Sequence, residues 1–364
     1  MVIRTALCSS LISLCSLSAH ADDNFDIVMG QFIRDNPTAY IVNRTYVDNR
    51  FYFGAIDGAA INDISALTGL PDLRHLDLTG TSVSNISALS GLTDLEQLSL
   101  SDTAVSDFSA LSGLTDLREL DLRNAAVSDI SALSGLTSLR RLDLTGTSVS
   151  NISALSGLTD LELLSLSDTA VSDLSALSGL RALELLSLSD TAASNLIALG
   201  ELPALRGLDL SNTSVSDLSG LSGLPALERL FLSGLSLNDI SALSELPTLR
   251  QVSLSDTSVS DLSALSGLAG LGELDLRNTA VSDISALSGL AGLRSLDLQG
   301  TAVSDISALS GLTGLRSLDL RDTAVSDISE LSGLSGLREL DLSDPSAIDL
   351  APILHLMVRG LQVR

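Results

Sequence analysis

The chain has 364 residues, of which 20 are basic and 45 acidic, for a formal net charge of −25. A field of that sign opposes binding to nucleic acid and to anionic lipid head groups, and favours cations, basic partners or plain solubility. Every basic residue is arginine, which removes lysine Schiff-base chemistry.

Residues 1–21 read as a signal peptide. Arg4 supplies a positive start, Ala6 to Leu17 form a short apolar run, and Ala19-His20-Ala21 is a small-x-small cleavage site before Asp22 and Asp23. The apolar run is too short to span a bilayer. The rival reading is an uncleaved N-terminal helix. Cleavage after Ala21 removes both cysteines, Cys8 and Cys15, and leaves no disulfide or thiol chemistry. It also removes Arg4, so the mature charge becomes −25 − 1 = −26. The expected location is the periplasm or the medium, with no membrane insertion.

Residues 22–60 hold seven of the nine aromatics, from Phe25 to Phe53. Asp23 or Asn24 can cap a short helix carrying Phe25, Val28, Met29, Phe32 and Ile33, and Arg50 to Ile56 reads as a strand. A segment this small cannot bury its own core. It suits an N-terminal cap over the first of a series of repeats better than an independent binding module.

Residues 61–344 are an array of thirteen 22-residue repeats, marked by Leu67, Leu89, Leu111 and so on to Leu331 without insertion or deletion. In the unit Leu111–Ala132, Leu120 and Leu122 alternate with Glu119, Asp121 and Arg123, the period-2 mark of a strand with one buried face. Thirteen such strands recur, from Leu76-Asp77-Leu78 to Leu340-Asp341-Leu342. The remainder of each unit is too short for a long helix and predicts a turn with a 3₁₀ segment.

This pattern, LxxLxxLxLxxT/N followed by VSDISAL, resembles the bacterial leucine-rich repeat of the internalin type. The resemblance implies an α/β solenoid: a right-handed superhelix with a parallel sheet on its concave side, the short 3₁₀ and turn segments on its convex side, and a protein-binding role. One column departs from it. Threonine stands where asparagine is usual, at Thr81, Thr103, Thr147, Thr169, Thr191, Thr213, Thr257, Thr279, Thr301 and Thr323. A hydroxyl satisfies fewer backbone groups than a carboxamide, so the usual asparagine ladder is in doubt.

Residues 345–364 form the expected C-terminal cap. Pro345 and Pro352 break the unit, Ile353, Leu354, Leu356 and Met357 close the last coil, and Leu361-Gln362-Val363 adds an edge strand flanked by Arg359 and Arg364.

Three sets of positions are candidates for more than structure. The first holds only Asp or Asn at fourteen successive positions from Asp63 to Asp349. A calcium ladder is one reading. Capping of each helical turn fits better, because neutral Asn would weaken a metal site and leave a cap intact. The second is an outward apolar patch of Leu163, Leu185 and Phe231, a binding site or a product of repeat drift. The third is the run Asp275, Asp297, Asp319 and Asp341 on adjacent strands, where like charges demand neutralisation. Arg277 and Arg321 can supply it, as can a cation or a basic ligand.

No cofactor, resident metal or enzyme activity is expected. After cleavage the histidines are His75 and His355, near opposite ends of the array, with no phosphate-cradling glycine loop and no metal-spaced His/Cys set. Gly69, Gly91, Gly113 and their successors read as turn residues. The expected function is an exported, non-enzymatic protein-binding module, monomeric and adhesin-like. The alternatives are a periplasmic scaffold or inhibitor, or a calcium- or glycan-binding surface protein.

Overall fold

The computed structural model describes residues 61–364 and, ahead of them, two short strands, Ile41–Asn43 (β1) and Tyr52–Ala55 (β2). The expected signal peptide and the helix expected from Phe25 to Ile33 lie outside the described residues.

The chain divides into two compact units, one ending at Val149 and one beginning at Ser150. In the first unit β1 and β2 pair antiparallel with a register irregularity between Ile41 and Asn43. Strands His75–Asp77 (β3), Gln97–Ser99 (β4), Glu119–Asp121 (β5) and Arg141–Asp143 (β6) then follow β2 in parallel order. In the second unit every pairing is parallel and sequential. Its strands are Leu163–Ser165 (β7), Leu185–Ser187 (β8), Gly207–Asp209 (β9), Arg229–Phe231 (β10) and Gln251–Ser253 (β11). Glu273–Asp275 (β12), Ser295–Asp297 (β13), Ser317–Asp319 (β14), Glu339–Asp341 (β15) and Gln362–Val363 (β16) complete it.

The pairing from β3 to β6 and from β7 to β15 joins residues 22 apart, such as Arg229 with Gln251. Equivalent positions of successive repeats therefore stack. The hydrogen-bond ladder continues past the strand ends, with the Leu78 and Gly80 N–H groups donating to the Ser99 and Ser101 carbonyls at 2.9 Å each.

Opposite each strand runs a 3₁₀ segment, such as Ser131–Gly135 in the first unit and Ser285–Leu287 in the second. Between strand and 3₁₀ segment lies the core. Val127, Ile130, Leu133, Leu136, Leu139, Leu142 and Leu144 are each buried, and the same set recurs repeat after repeat. No part of a single coil encloses them; the coils on either side do.

Two hydrogen-bond devices satisfy the backbone where the coil turns. All fourteen Asp or Asn side chains, from Asp63 to Asp349, accept the N–H two residues on, at 2.8 to 3.0 Å. That is the capping role, performed as well by Asn85 as by Asp107. The threonine column also acts locally. Each hydroxyl donates to the carbonyl of the leucine three residues earlier, as Thr147 does to Leu144 at 2.7 Å, so no asparagine ladder is needed there.

The turn after each strand carries a column that sequence reading passed over. Twelve successive positions, 80, 102, 124 and on to 322, have φ between +53° and +72°, and all are Gly, Asp or Asn. These are the residues that enter the left-handed region at least cost. Within the column Asn dictates its successor. Asn124, Asn212 and Asn278 each donate Nδ2–H to the Asp one repeat before, at 2.9 to 3.0 Å. Their Oδ1 atoms then lie where a Cβ would stand at Gly146, Gly234 and Gly300. By contrast, the glycines expected as turn residues need no such backbone. Gly91 and Gly113 have right-handed or extended φ and open space around them, and Glu201 and Glu245 hold the same column.

At the C-terminal end, a 3₁₀ turn at Ala351–Ile353 leads into a five-residue helix, Leu354–Val358 (α1), and then β16. Ile353, Leu356 and Leu361 are buried. Leu354, expected to help close the last coil, instead points outward at 54% exposure. The helical turn has room for two inward side chains, and Ile353 and Leu356, three residues apart, take both places.

Gly146→Ala is expected to destabilise the first unit by about 1–2 kcal/mol from the left-handed backbone alone. Gly91→Ala should stay within about 0.5 kcal/mol of the parent. Chemical denaturation of the two variants checks the contrast, and equal losses would contradict the assigned turn geometry.

Candidate functional site

The side chains free to act on a partner are those that alternate with the buried leucines on the strands. In the second unit the first outward column reads Leu163, Leu185, Gly207, Arg229, Gln251, Glu273, Ser295, Ser317, Glu339. The next reads Ser165, Ser187, Asp209, Phe231, Ser253, Asp275, Asp297, Asp319, Asp341.

Leu163 and Leu185 are brought into direct register on β7 and β8. Phe231 lies in the other column, on β10, with β9 between it and β8. All three are half-buried, not fully exposed. The residue that connects them is Gly207. A Cβ built there would lie 2.7 Å from Leu185 Cδ2, and 3.6 and 3.7 Å from Arg229 Nη2 and Nε. The missing side chain lets Leu185 lean across β9 from one side and Arg229 from the other. Gly207 is itself buried beneath them. Gly207 and Arg229 were visible in the sequence only as irregularities in one column.

Around this patch the surface is hydroxyl-rich. Ser167 and Ser187 hydroxyls are 2.6 Å apart, Ser233 and Ser253 2.9 Å, and Ser255 reaches Ser233 at 3.0 Å. These bonds run between neighbouring repeats.

The acidic run is built differently. Arg277 Nε and Nη2 bond Asp275 at 2.9 and 2.7 Å, and Arg277 Nε reaches Asp297 at 3.3 Å. Arg321 Nε lies 3.0 and 2.9 Å from the two Asp319 oxygens. The first unit repeats the device, with Arg123 on Asp121 at 2.7 Å. The Arg/Asp network expected as one alternative is therefore present. Asp275, Asp297 and Asp319 also accept the backbone N–H two residues on.

These surroundings separate the carboxylates. Burial raises the Asp275 pKa, but the Arg277 guanidinium, its N–H and the Ser253 hydroxyl outweigh it, and the net direction is down. Asp297 goes up, because burial and the like charges of Asp319 and Asp275 exceed what the Gln299 N–H and Arg277 return. The caps on the opposite side, such as Asp129 and Asp283, are held low, chiefly by the N–H of the serine that each one caps.

Among the described residues no group of three or more His, Cys, Asp or Glu is arranged to hold a metal ion. His75 is buried on β3, and His355 Nε2 lies 3.0 Å from the Ser332 carbonyl.

Residues 93–135, 115–159, 203–247 and 291–333 match the family model described as leucine rich repeats (2 copies). No curated protein matches the sequence. Among solved structures, an internalin of Listeria monocytogenes, InlF, is similar at 29% identity and a TM-score of 0.75, over 80% of this chain and 86% of that one. A leucine-rich repeat protein of Leptospira interrogans is similar in fold at 21% identity and a TM-score of 0.78, over 83% and 81% of the two chains. Mouse RP105, solved in complex with MD-1, is similar in fold at 24% identity and a TM-score of 0.70, over 86% of this chain and 59% of that one.

Asp297→Asn is expected to raise Tm at neutral pH. A carboxyl whose pKa rises on folding opposes the native state only when ionised, so the gain should vanish as pH falls below about 4, where unfolded Asp also protonates. The depressed caps act with the opposite sign. The stability that they contribute is present above about pH 4 and is lost as pH falls through their native values. Melting curves of parent and variant from neutral to acid pH check both slopes; a variant gain that persists in acid would contradict the assignment.

Proposed function

We propose that this chain, which belongs to the leucine-rich repeat proteins of the bacterial internalin type, is an exported, non-enzymatic protein-binding module that engages its partner through the strand face of the second unit. The carrying observation is the window formed by Leu163, Leu185 and Phe231. It interrupts an otherwise polar face, and half-buried apolar side chains beside small hydroxyls supply the dry centre and tolerant surround of an interface. A cell-surface, adhesin-like contact is the preferred setting.

Several features support this reading. The outward side chains lie outside the leucine core, so many of them are free to be shaped for contact. Leucine-rich repeat proteins are typically binding modules without catalysis, and RP105 was solved in complex with MD-1. Phe231 is the one aromatic among the strands β3 to β16, which disfavours sugar stacking as the main mode of recognition. No helix among the described residues is long and apolar enough to cross a membrane. Export rests on Arg4, the apolar run Ala6 to Leu17 and Ala19-His20-Ala21. The acidic run Asp275 to Asp341 is a second-rank candidate for a basic ligand, since Arg277 and Arg321 already neutralise part of it.

Phe231→Ser should leave the melting temperature and circular dichroism unchanged and weaken partner binding by about thirtyfold, the scale of an interface hot spot. Quantitative capture from the medium and from host-cell surfaces, parent against variant, measures this. Equal capture would remove the strand face from consideration. Fractionation of the producing cell tests export directly.

A further inference from the structure

We infer that Arg229 is the specificity residue of this face, and that the partner is a protein segment presenting one carboxylate beside an aliphatic or aromatic side chain. The inference rests on the strand-face reading and narrows it to a chemistry.

Five arginines stand on the two outward columns or at the next outward position after them. Four are ion-paired with a carboxylate. Arg123 pairs with Asp121 at 2.7 Å, Arg141 with Glu119 at 3.3 Å, Arg277 with Asp275 at 2.7 Å, and Arg321 with Asp319. Arg229 is the exception among the described residues. Its register neighbours are Gly207 and Gln251, neither of which is charged. The one acidic residue on the outward columns of β9, β10 and β11, Asp209, stands in register with Phe231 instead, and its Oδ1 accepts the Ser211 N–H at 2.9 Å.

The location of this cation matters as much as its lack of a partner. Its guanidinium lies over Gly207, which Leu185 approaches from the other side, two residues before Phe231 on the same face. Across β7 to β11 the two outward columns contain ten residues, of which Asp209 and Arg229 alone are charged. Arg229 is thus an exposed fork of five N–H donors beside apolar side chains, and it can hold a carboxylate by two parallel bonds. Lysine would offer charge without the fork.

The rest of the chain limits the partner further. Asp275, Asp297, Asp319, Asp341, Glu273 and Glu339 line the strands beyond this window. A broadly acidic partner would meet repulsion there. A single acid set among apolar residues would not. The leucines and Phe231 favour aliphatic or aromatic neighbours for that acid, which fits a protein segment and not a charged sugar.

The test is selection of a phage-displayed random-peptide library on the full chain, followed by affinity measurement of the enriched peptides. The expected result is enrichment of Asp or Glu next to Leu, Ile, Phe or Met. Arg229→Gln should weaken those peptides by about thirtyfold. Changing the peptide's acid to its amide should do the same, and the two changes together should cost little more than either alone. Arg229→Lys should fall between parent and Arg229→Gln. Peptides that need no acid, or that bind Arg229→Gln as well as the parent while losing Phe231→Ser, would overturn the carboxylate and leave the strand-face reading standing. Equal binding by both variants, or no enrichment at all, would overturn both.

Discussion

Burial in this chain is created between neighbouring coils. A 22-residue coil has a single layer of leucines with nothing of its own to cover them, and each layer becomes dry when the next one is laid on it. That requirement explains why no insertion or deletion interrupts the spacing. One extra residue in any coil would turn its leucines out of line with both neighbours. It also explains why the polar backbone is satisfied within each repeat or one repeat away, by strand ladder, by Asp or Asn cap and by threonine hydroxyl. A coil that depended on distant groups could not be repeated.

The left-handed turn after each strand shows the same constraint at finer scale. Backbone geometry admits three residue types there, and the choice among them is coupled along the stack. An Asn reaches back to an Asp and forward into the space of the next residue, which must then be glycine. Repeats that look interchangeable are therefore ordered, since Asn124 before any residue larger than Gly146 would force the side chains apart.

The outward columns escape these constraints. They carry charge in one region and hydroxyl and apolar groups in another, although aspartates such as Asp275 and Asp297 also hold the N–H of the following turn. Where carboxylates crowd, from Asp275 to Asp319, arginines two residues on have been placed among them. At Gly207 and Arg229, where Asp209 is the one carboxylate on the outward columns, the surface is largely apolar and an arginine is left to face outward. In a chain of this net charge, a neutral window with one available cation is the feature that distinguishes one part of the face from the rest.

The period, the buried leucine set, the strand alternation and the capping role of Asp63 to Asp349 were legible in the sequence, because each depends on residues close in the chain and repeats thirteen times. Local hydrogen bonding and a fixed stacking distance leave one solution to such a pattern. The coupling of Asn124 to Gly146, the pairing of Arg277 across to Asp297, the outward turn of Leu354 and the meeting of Leu185 with Arg229 over Gly207 were decided by the tertiary structure. These depend on side chains competing for one space, most of them from different coils. A sequence column records which residues stand in line, and the packed coils determine which of them touch.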